Sequence, residues 1–399
     1  MKKIMILGGS ILQLPAIQKA KEMNLEVIVV DMNPDAIGFK EKGVIQEVIS
    51  TIDIPKVLEC AKKHKINGIM TLASDMPMRT IATVSKEMNI IGIDEKTALK
   101  ATSKFLMREA LKTNHVPIPS FIKINTESEC YSAVLKLKEK GYKCIIKPVD
   151  NSGSRGISLL SDFEEMTVKR AYEHGKRFSR SGELMVEEYM EGPEVSVESI
   201  SINNECHVIQ ITDKLTTGSP YFVEMGHSQP SILEKEIKNQ IIEITKKAVR
   251  AIGIKNGPSH TEIKVTQEGP KIVEIGARLG GDCITTHLVP LSTGVDMVEA
   301  CIKLALGEEP NIYKKFEKGS AIRYFKADYG KILSIENIDE ALKITGVKFI
   351  SFMKNKGDEI NEIKSSTDRT GFVISQAKSS GLAIQICNKV LDIVKVKVK

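Results

Sequence analysis

The stretch that most constrains the fold is Ser259 to Gly281, SHTEIKVTQEGPKIVEIGARLGG. Two alternating runs, Thr261–Thr266 and Lys271–Gly276, flank Gln267-Glu268-Gly269-Pro270. A short Gly-containing loop between alternating runs predicts a β-hairpin. With the turn centred on Glu268, Glu262 lies as far before the centre as Glu274 lies after it. Antiparallel pairing then sets the two carboxylates opposite each other on one face, with Cβ atoms about 5 Å apart. Like charges so placed repel. Either the face is solvated and register drift separates the pair, or a divalent cation holds them together. Mg²⁺ takes one or two carboxylates and fills its other positions with water and substrate phosphates. Arg278 and Gly280-Gly281 follow directly and favour the cation. A guanidinium and open backbone N–H groups beside a metal suit an anionic substrate or transition state.

A hairpin needs a sheet, and 399 residues allow two or three domains with sizeable cores. The net charge of +6 is spread along the chain, apart from a Lys-rich tail from Lys389 to Lys399. No arginine-rich or aromatic-interleaved stripe is present, so nucleic acid is not an expected partner. Seven cysteines without a CxxC pair argue against a zinc site or a disulfide framework. They point to a reducing compartment, hence the cytoplasm. MKKIMILGGS is expected to be a first strand rather than a signal peptide. No segment approaches the roughly 20 apolar residues that span a bilayer, so no membrane partner is expected.

In chain order, strand Ile4–Leu7, turn Gly8-Gly9-Ser10, helix Leu14–Met23 and strand Glu26–Val30 open a doubly wound α/β domain. The glycine signature of a dinucleotide site is incomplete, since Ile11 to Leu14 hold the place of its third glycine; NAD is not expected. Strands follow at Val44–Ser50 and Gly68–Leu72, the latter ending in Ala73-Ser74-Asp75. Asp75 lies at the carboxyl edge, where such sheets bind ligands. It is assigned as a helix N-cap, with substrate contact as the alternative. Glu95–Asn114 is expected as one helical run carrying Lys104, with a domain boundary near Ile93.

Lys147 closes the apolar strand CIIK, and Ser152-Gly153-Ser154-Arg155-Gly156 follows. Small residues leave backbone N–H groups able to wrap phosphate oxygens; the rival is a flexible hairpin tip. A lysine inside an apolar strand favours the phosphate, because Lys is almost never buried unpaired. LMVEEYM runs into a linker, Glu191-Gly192-Pro193, and Glu194, Ser196 and Glu198 then share one strand face. That passage offers backbone groups to a purine edge, or is a plain hairpin with solvated glutamates. Glu224 and His227 precede the long helix Glu234–Ile252 and are candidates on the substrate side, with a structural histidine as the alternative. Helix Asp296–Leu306 and a mixed C-terminal stretch, Gly319–Lys399, complete the chain.

The order of these parts resembles the ATP-grasp superfamily, which includes biotin carboxylase, carbamoyl-phosphate synthetase, purine-pathway ligases and L-amino-acid ligases. It rests on Lys104, KPVDNSGSRG, VEEYMEGPE and TEIKV…VEIGARLGG, and is strongest between Lys104 and Gly281. The resemblance implies an α/β (α+β) fold. A doubly wound N-terminal domain (1–93), a linker helix (94–120), a small lid subdomain (121–186), a large subdomain (187–318) and a C-terminal covering subdomain (319–399) would follow in order. It further implies that Lys104 and Lys147 hold nucleotide phosphates and that residues Ser152 to Gly156 close over them. Glu187 would accept from the adenine amino group, with Glu188 beside it and the Met190 backbone at the ring. Glu194 would bind the ribose. Glu262 and Glu274 would ligate Mg²⁺, with Mn²⁺ as a substitute. Position 276 departs from the pattern: the family often has an asparagine there, and this chain has Gly276.

Glu224, His227, Arg278 and Gly281 resemble the substrate-side residues of dipeptide-forming L-amino-acid ligases. The implied activity is ATP-dependent joining of a small carboxylate to an amine, with release of ADP and phosphate; a homodimer is the default expectation for the assembly. Two rivals stay open. One is a purine-type ligase or carboxylase acting on a ribonucleotide or bicarbonate. The other is a nucleotide-binding protein without turnover.

Overall fold

The computed structural model describes residues 1–151 and 155–399. The chain opens with four parallel strands, β1 (Lys3–Leu7), β2 (Glu26–Asp31), β3 (Ile45–Val48) and β4 (Gly68–Met70), in the order β3-β2-β1-β4. Runs such as IMIL and VIVV suit strands covered on both faces, and Ile4 to Leu7 are fully buried. The turn after β1 spends its own donors. Gly8 N–H goes to the Val30 carbonyl, Gly9 N–H to Asp31 Oδ2 at 2.7 Å, and Ser10 N–H to Gln13 Oε1.

Where one helix is expected, two are found, Glu95–Thr102 and Lys104–Thr113. Ser103 between them is extended, and its hydroxyl accepts from Leu106 N–H. A serine that caps the turn ahead competes with the helix behind it. The break makes Lys104 the first residue of the second helix.

A second, antiparallel sheet runs β5-β8-β6-β7, from β5 (Phe121–Ile124), β6 (Cys144–Pro148), β7 (Ser158–Leu159) and β8 (Leu184–Glu188). Helices Glu127–Lys138 and Glu165–Phe178 close a core of its own around Val134, Ile146 and Leu184. Ser152, Gly153 and Ser154 of the expected phosphate loop lie outside the described residues.

The remaining strands are β9 (Glu194–Ile202), β10 (Glu205–Thr216), β11 (Glu224–Gln229), β12 (Gly257–Thr266), β13 (Gly269–Gly276), β14 (Gly319–Tyr324), β15 (Gly330–Glu336), β16 (Val347–Phe352), β17 (Glu359–Ile360), β18 (Gly371–Ala377) and β19 (Lys395–Val398). Eight of them form one sheet in the order β13-β12-β9-β10-β11-β14-β18-β16. The C-terminal stretch therefore starts by extending this sheet from β11 instead of only covering it. The helix Lys235–Ile252 buries Ile241, Ile244, Ala248 and Ile252, in one core with Val195 and Ile263 of the large sheet and Met5 and Leu7 of the first. A parallel bridge, Leu72 to Leu279, ties the end of the first sheet to the segment behind Arg278. Among the described residues no helix is long and apolar enough to cross a membrane.

The hairpin forms, with a different turn from the expected one. Thr266 pairs with Gly269, so only Gln267 and Glu268 form the loop. Continued regularly, that register would set Glu262 against Val273. A bulge leaves Val273 unpaired and advances the ladder by one residue, which brings Glu262 opposite Glu274. A one-residue shift moves every later side chain to the other face; here it moves Glu274 onto the face of Glu262.

Candidate active site

Glu262 and Glu274 meet on the wall of a cavity of about 210 Å³. Their side chains keep 25% and 36% of their exposure, which leaves oxygens accessible to a ligand. Two carboxylates are a fitting donor set for Mg²⁺ when phosphates and water complete it. A third ligand from position 276 has no room. A Cβ on Gly276 would stand 2.7 Å from Asp75 Oδ1 and 3.4 Å from Arg278 Nε. Asp75 is there because it pairs with Arg278 in fork geometry, Nε to Oδ1 at 3.0 Å and Nη2 to Oδ2 at 3.1 Å. It does not cap the following helix, whose N-cap position is Pro77. The predicted cap is corrected: a partly buried guanidinium from a distant stretch of chain outbids a local backbone donor.

On one side of the carboxylates stand the lysines. Lys104 reaches Glu274 Oε1 at 2.5 Å. Lys147 lies 2.5 Å from Glu187 Oε2, with both side chains nearly inaccessible. Fully buried Arg108 completes this group, donating to both oxygens of Glu187 (2.7 and 3.2 Å) and to the carbonyls of Ile272 and Val273. The same guanidinium therefore grips the hinge and the bulge. Burial alone would raise the Glu187 carboxyl; Arg108 and Lys147 outweigh it and hold it at about 2. Lys147 is served less well. Burial pushes its ammonium below the usual lysine range, Glu187 opposes this, and Arg108 and Lys104 add to it. A second anion beside Lys147 is what its surroundings lack.

Both Glu187 oxygens are thus engaged by cations, and Glu187 also borders the cavity. Glu188 is also engaged, accepting from Lys271 at 2.8 Å and from Ser120 N–H at 2.9 Å. Met190 and Arg155 border the cavity. Gly156 does not: at φ +77°, its missing side chain is replaced by Phe178 and Pro148, with a Cβ falling 2.6 Å from Phe178 Cβ.

On the other side Lys214, at the end of the β10 apolar run, is buried among three carboxylates. Glu194 Oε1 is at 2.6 Å, Glu262 Oε1 at 3.3 Å and Glu224 Oε1 at 3.5 Å. Burial would lower its ammonium, but the carboxylates, Glu262 first, hold it well above its usual range. Glu194 also accepts from Lys264. Glu262 is likewise held far below the carboxylate range against burial, by Lys214 and then His260. His260 Nδ1 lies 2.5 Å from Glu198 Oε1 and its Nε2 3.5 Å from Glu262. Burial opposes the imidazolium, and Glu198 lifts it to about 9.

Glu198, which shares its strand face with Glu194, is not solvated; it is fully buried and its Oε2 accepts from Gly280 N–H at 3.3 Å. That donor, expected to be open to an oxyanion, is already spent. A sealed carboxylate needs its lone pairs filled. Gly281 follows it, with Asp282 and Cys283 at φ 49° and 62°.

Glu224 and His227, three apart, would face opposite ways in a regular strand. A bulge at Met225 prevents this: Glu224 pairs with Thr216 and His227 with Lys214, on one sheet face. Glu224 borders the cavity. His227 is 1% exposed, reaches Asp282 Oδ2 at 3.4 Å, and has a buried Nδ1 without a partner. Asp282 in turn receives both arms of Arg369 at 2.7 and 2.8 Å.

Sequence reasoning missed Lys214, His260, Glu198, Arg108 and Arg369. Lys214 carried the same signal as Lys147, a lysine closing an apolar strand (VIQITDK). His260, two before Glu262, shares its face by strand alternation. For Arg108 and Arg369 no local signal exists.

Comparison with known proteins puts this geometry in context. Residues 140–286 match the ATP-grasp domain, and residues 323–399 match the L-amino acid ligase C-terminal domain 2. The L-arginine-specific L-amino acid ligase of Bacillus subtilis is 25% identical over 286 residues, 70% of this chain and 67% of that protein. The phosphoribosylamine–glycine ligase of Methanocaldococcus jannaschii is 25% identical over 348 residues, 80% and 76% of the two chains. The crystal structure of L-amino acid ligase from Bacillus licheniformis matches with a TM-score of 0.84 at 20% identity, covering 100% of this chain and 99% of that one; this likeness is one of fold. Residues 140–286 thus carry an ATP-grasp domain, and the chain has the fold of a solved L-amino acid ligase.

Proposed function

We propose that this ATP-grasp ligase activates a small carboxylate, that of an amino acid, as an acyl phosphate and then joins it to an amine. The observation that carries the reading is the meeting of Glu262 and Glu274 across the β13 bulge, in a cavity also bordered by Lys104, Lys147 and Arg278. Phosphoryl transfer is mostly positioning and charge neutralisation. Lys147, short of a second anion, and Lys104 at a helix N-terminus would take the phosphates. Glu262 and Glu274 would hold Mg²⁺, which when bound neutralises phosphate oxygens.

In the first step a substrate carboxylate oxygen bonds to the γ-phosphorus while the bond to the β-bridging oxygen breaks, and ADP leaves. In the second, the amine nitrogen attacks the acyl carbon. The carbon–oxygen bond to phosphate then breaks, and the amine proton passes to a carboxylate, with Glu224 the candidate. Arg278, its Nη1 turned from Asp75 to the Leu279 carbonyl at a long 3.4 Å, is the donor for the anionic intermediate.

Two observations support an amino acid over a phosphorylated nucleotide. The Gly8-Gly9-Ser10 turn has its donors filled, one by the Asp31 carboxylate, so the first sheet offers no anion cradle there. An acidic side chain, Glu224, borders the cavity and suits an ammonium. The match of residues 323–399 to an L-amino acid ligase domain agrees.

Coupled ADP release with Mg-ATP, against amino acids singly and in pairs, tests the reading. Release that requires amino acids supports it. Release driven by bicarbonate or a ribonucleotide would move the chain to the purine-type ligases and carboxylases. ADP binding with no turnover on any carboxylate would mark a silent binding protein.

A further inference from the structure

Lys214 has a place in the site that the ligase chemistry does not itself require. It touches three carboxylates from three strands at once, Glu194 of β9, Glu224 of β11 and Glu262 of β12. Its side chain is 4% exposed, so water does not share the work. An ammonium has three donors and no acceptor, and each neighbour is a group with another duty in the proposed reaction. Glu194 faces the ribose, Glu224 the amine and Glu262 the metal.

A divalent ion at Glu262 would stand within a few ångströms of this ammonium. Inside a protein, like charges at such range repel several times more strongly than in water. Near Glu262 the Arg278 guanidinium adds to the repulsion. The carboxylates are therefore already neutralised from within. An incoming Mg²⁺ becomes favourable only when it arrives with anions of its own, the nucleotide phosphates.

We propose that Lys214 is a positioning residue that serves as the resident counter-ion of the metal site: it holds Glu194, Glu224 and Glu262 together in the nucleotide-free protein and makes divalent-cation binding wait for the nucleotide. The proposal rests on the assignment of Glu262 as a magnesium ligand. Its consequence is an order of events. Free Mg²⁺ does not occupy the site; the Mg-nucleotide does, and Glu262 passes from the ammonium to the metal.

The test is a Mn²⁺ titration followed by electron paramagnetic resonance, on full-length protein with and without ADP. Nucleotide-free wild type should bind Mn²⁺ weakly. Lys214→Met, which leaves three carboxylates without their cation, should bind it about tenfold or more tighter. Lys214→Arg, which keeps the charge, should stay weak. Adding Glu262→Gln to Lys214→Met should erase the gain. Lys214→Met should also melt below wild type in EDTA and recover when Mn²⁺ is added. If the variant can be isolated only in Mn²⁺ and is lost on chelation, that is the same result.

Two outcomes overturn the proposal. If Lys214→Met binds Mn²⁺ no tighter than wild type, while Glu262→Gln loses the ADP-dependent Mn²⁺ signal, the counter-ion role is wrong and the metal assignment stands. If Glu262→Gln keeps that signal with ADP, the metal assignment falls and takes the proposal with it.

Discussion

Two buried charge clusters border the same cavity, and they are built on opposite plans. Around Glu187 one carboxylate serves two cations, Arg108 and Lys147. Around Lys214 one cation serves three carboxylates. The first group is anchored by two further bonds from Arg108 to the β13 backbone and is shut off from solvent. It has cationic surplus and asks for an anion. The second keeps partly open carboxylates around its ammonium and would take a divalent ion only when phosphates come with it. A nucleotide with its metal brings both, phosphates to the one and a divalent ion to the other. The difference teaches that burial alone does not mark function; the sign of the unfilled charge does.

The largest effect should come from the proposed metal ligands, which lie between the two clusters. Glu274→Gln removes half of the proposed metal ligation and should lower ADP release by about a thousandfold or more with every substrate. Unimpaired turnover would detach the acidic cluster from catalysis and break the contrast.

On the other side the first readout is stability. Glu187→Gln leaves Arg108 and Lys147 buried without a counter-charge. It should cost about 3–5 kcal/mol in chemical denaturation. A loss below about 1 kcal/mol would show that this group is not the closed structural unit described here.

That gap should depend on pH. Glu187 is held at about 2 in the folded protein, below its unfolded value. Its contribution is therefore complete above pH ~4.5 and is lost as pH falls through the folded value. Unfolding free energies of wild type and Glu187→Gln from urea titrations should draw together between pH 5 and 2, by on the order of 3 kcal/mol in all. A constant gap would mean that the carboxylate is not what stabilises.

The smallest effect concerns Asp75. Asp75→Asn keeps the shape over Gly276 but weakens the hold on Arg278. It should reduce kcat by about tenfold and leave ADP affinity unchanged. A change in nucleotide affinity instead would place the Asp75–Arg278 pair on the nucleotide side.

Much of this was legible locally. The apolar runs announced the parallel sheet, and CIIK announced a buried lysine. TEIKV and VEIGAR, separated by a turn, announced a pair of opposed carboxylates. The pairing was obtained with a turn the protein does not use, because the bulge at Val273 compensates for the shorter loop. A bulge costs one residue of register and leaves no mark in the alternation on either side. The same holds for Glu224 and His227, which only the bulge at Met225 brings to one face. Asp75 was misread because a helix follows it closely, and local backbone donors are the partners that a sequence displays.

The chain by itself determined which side chains can carry charge and which strands place them two residues apart on a common face. Alternation and turn chemistry act over a few bonds, so they are written in neighbouring letters. Only the tertiary structure decided which charge answers which. Asp75 meets Arg278 across 203 positions of chain, and Lys214 meets carboxylates from three other strands. Coulomb attraction depends on distance in space and on the exclusion of water, and both are set when the sheets close on one another.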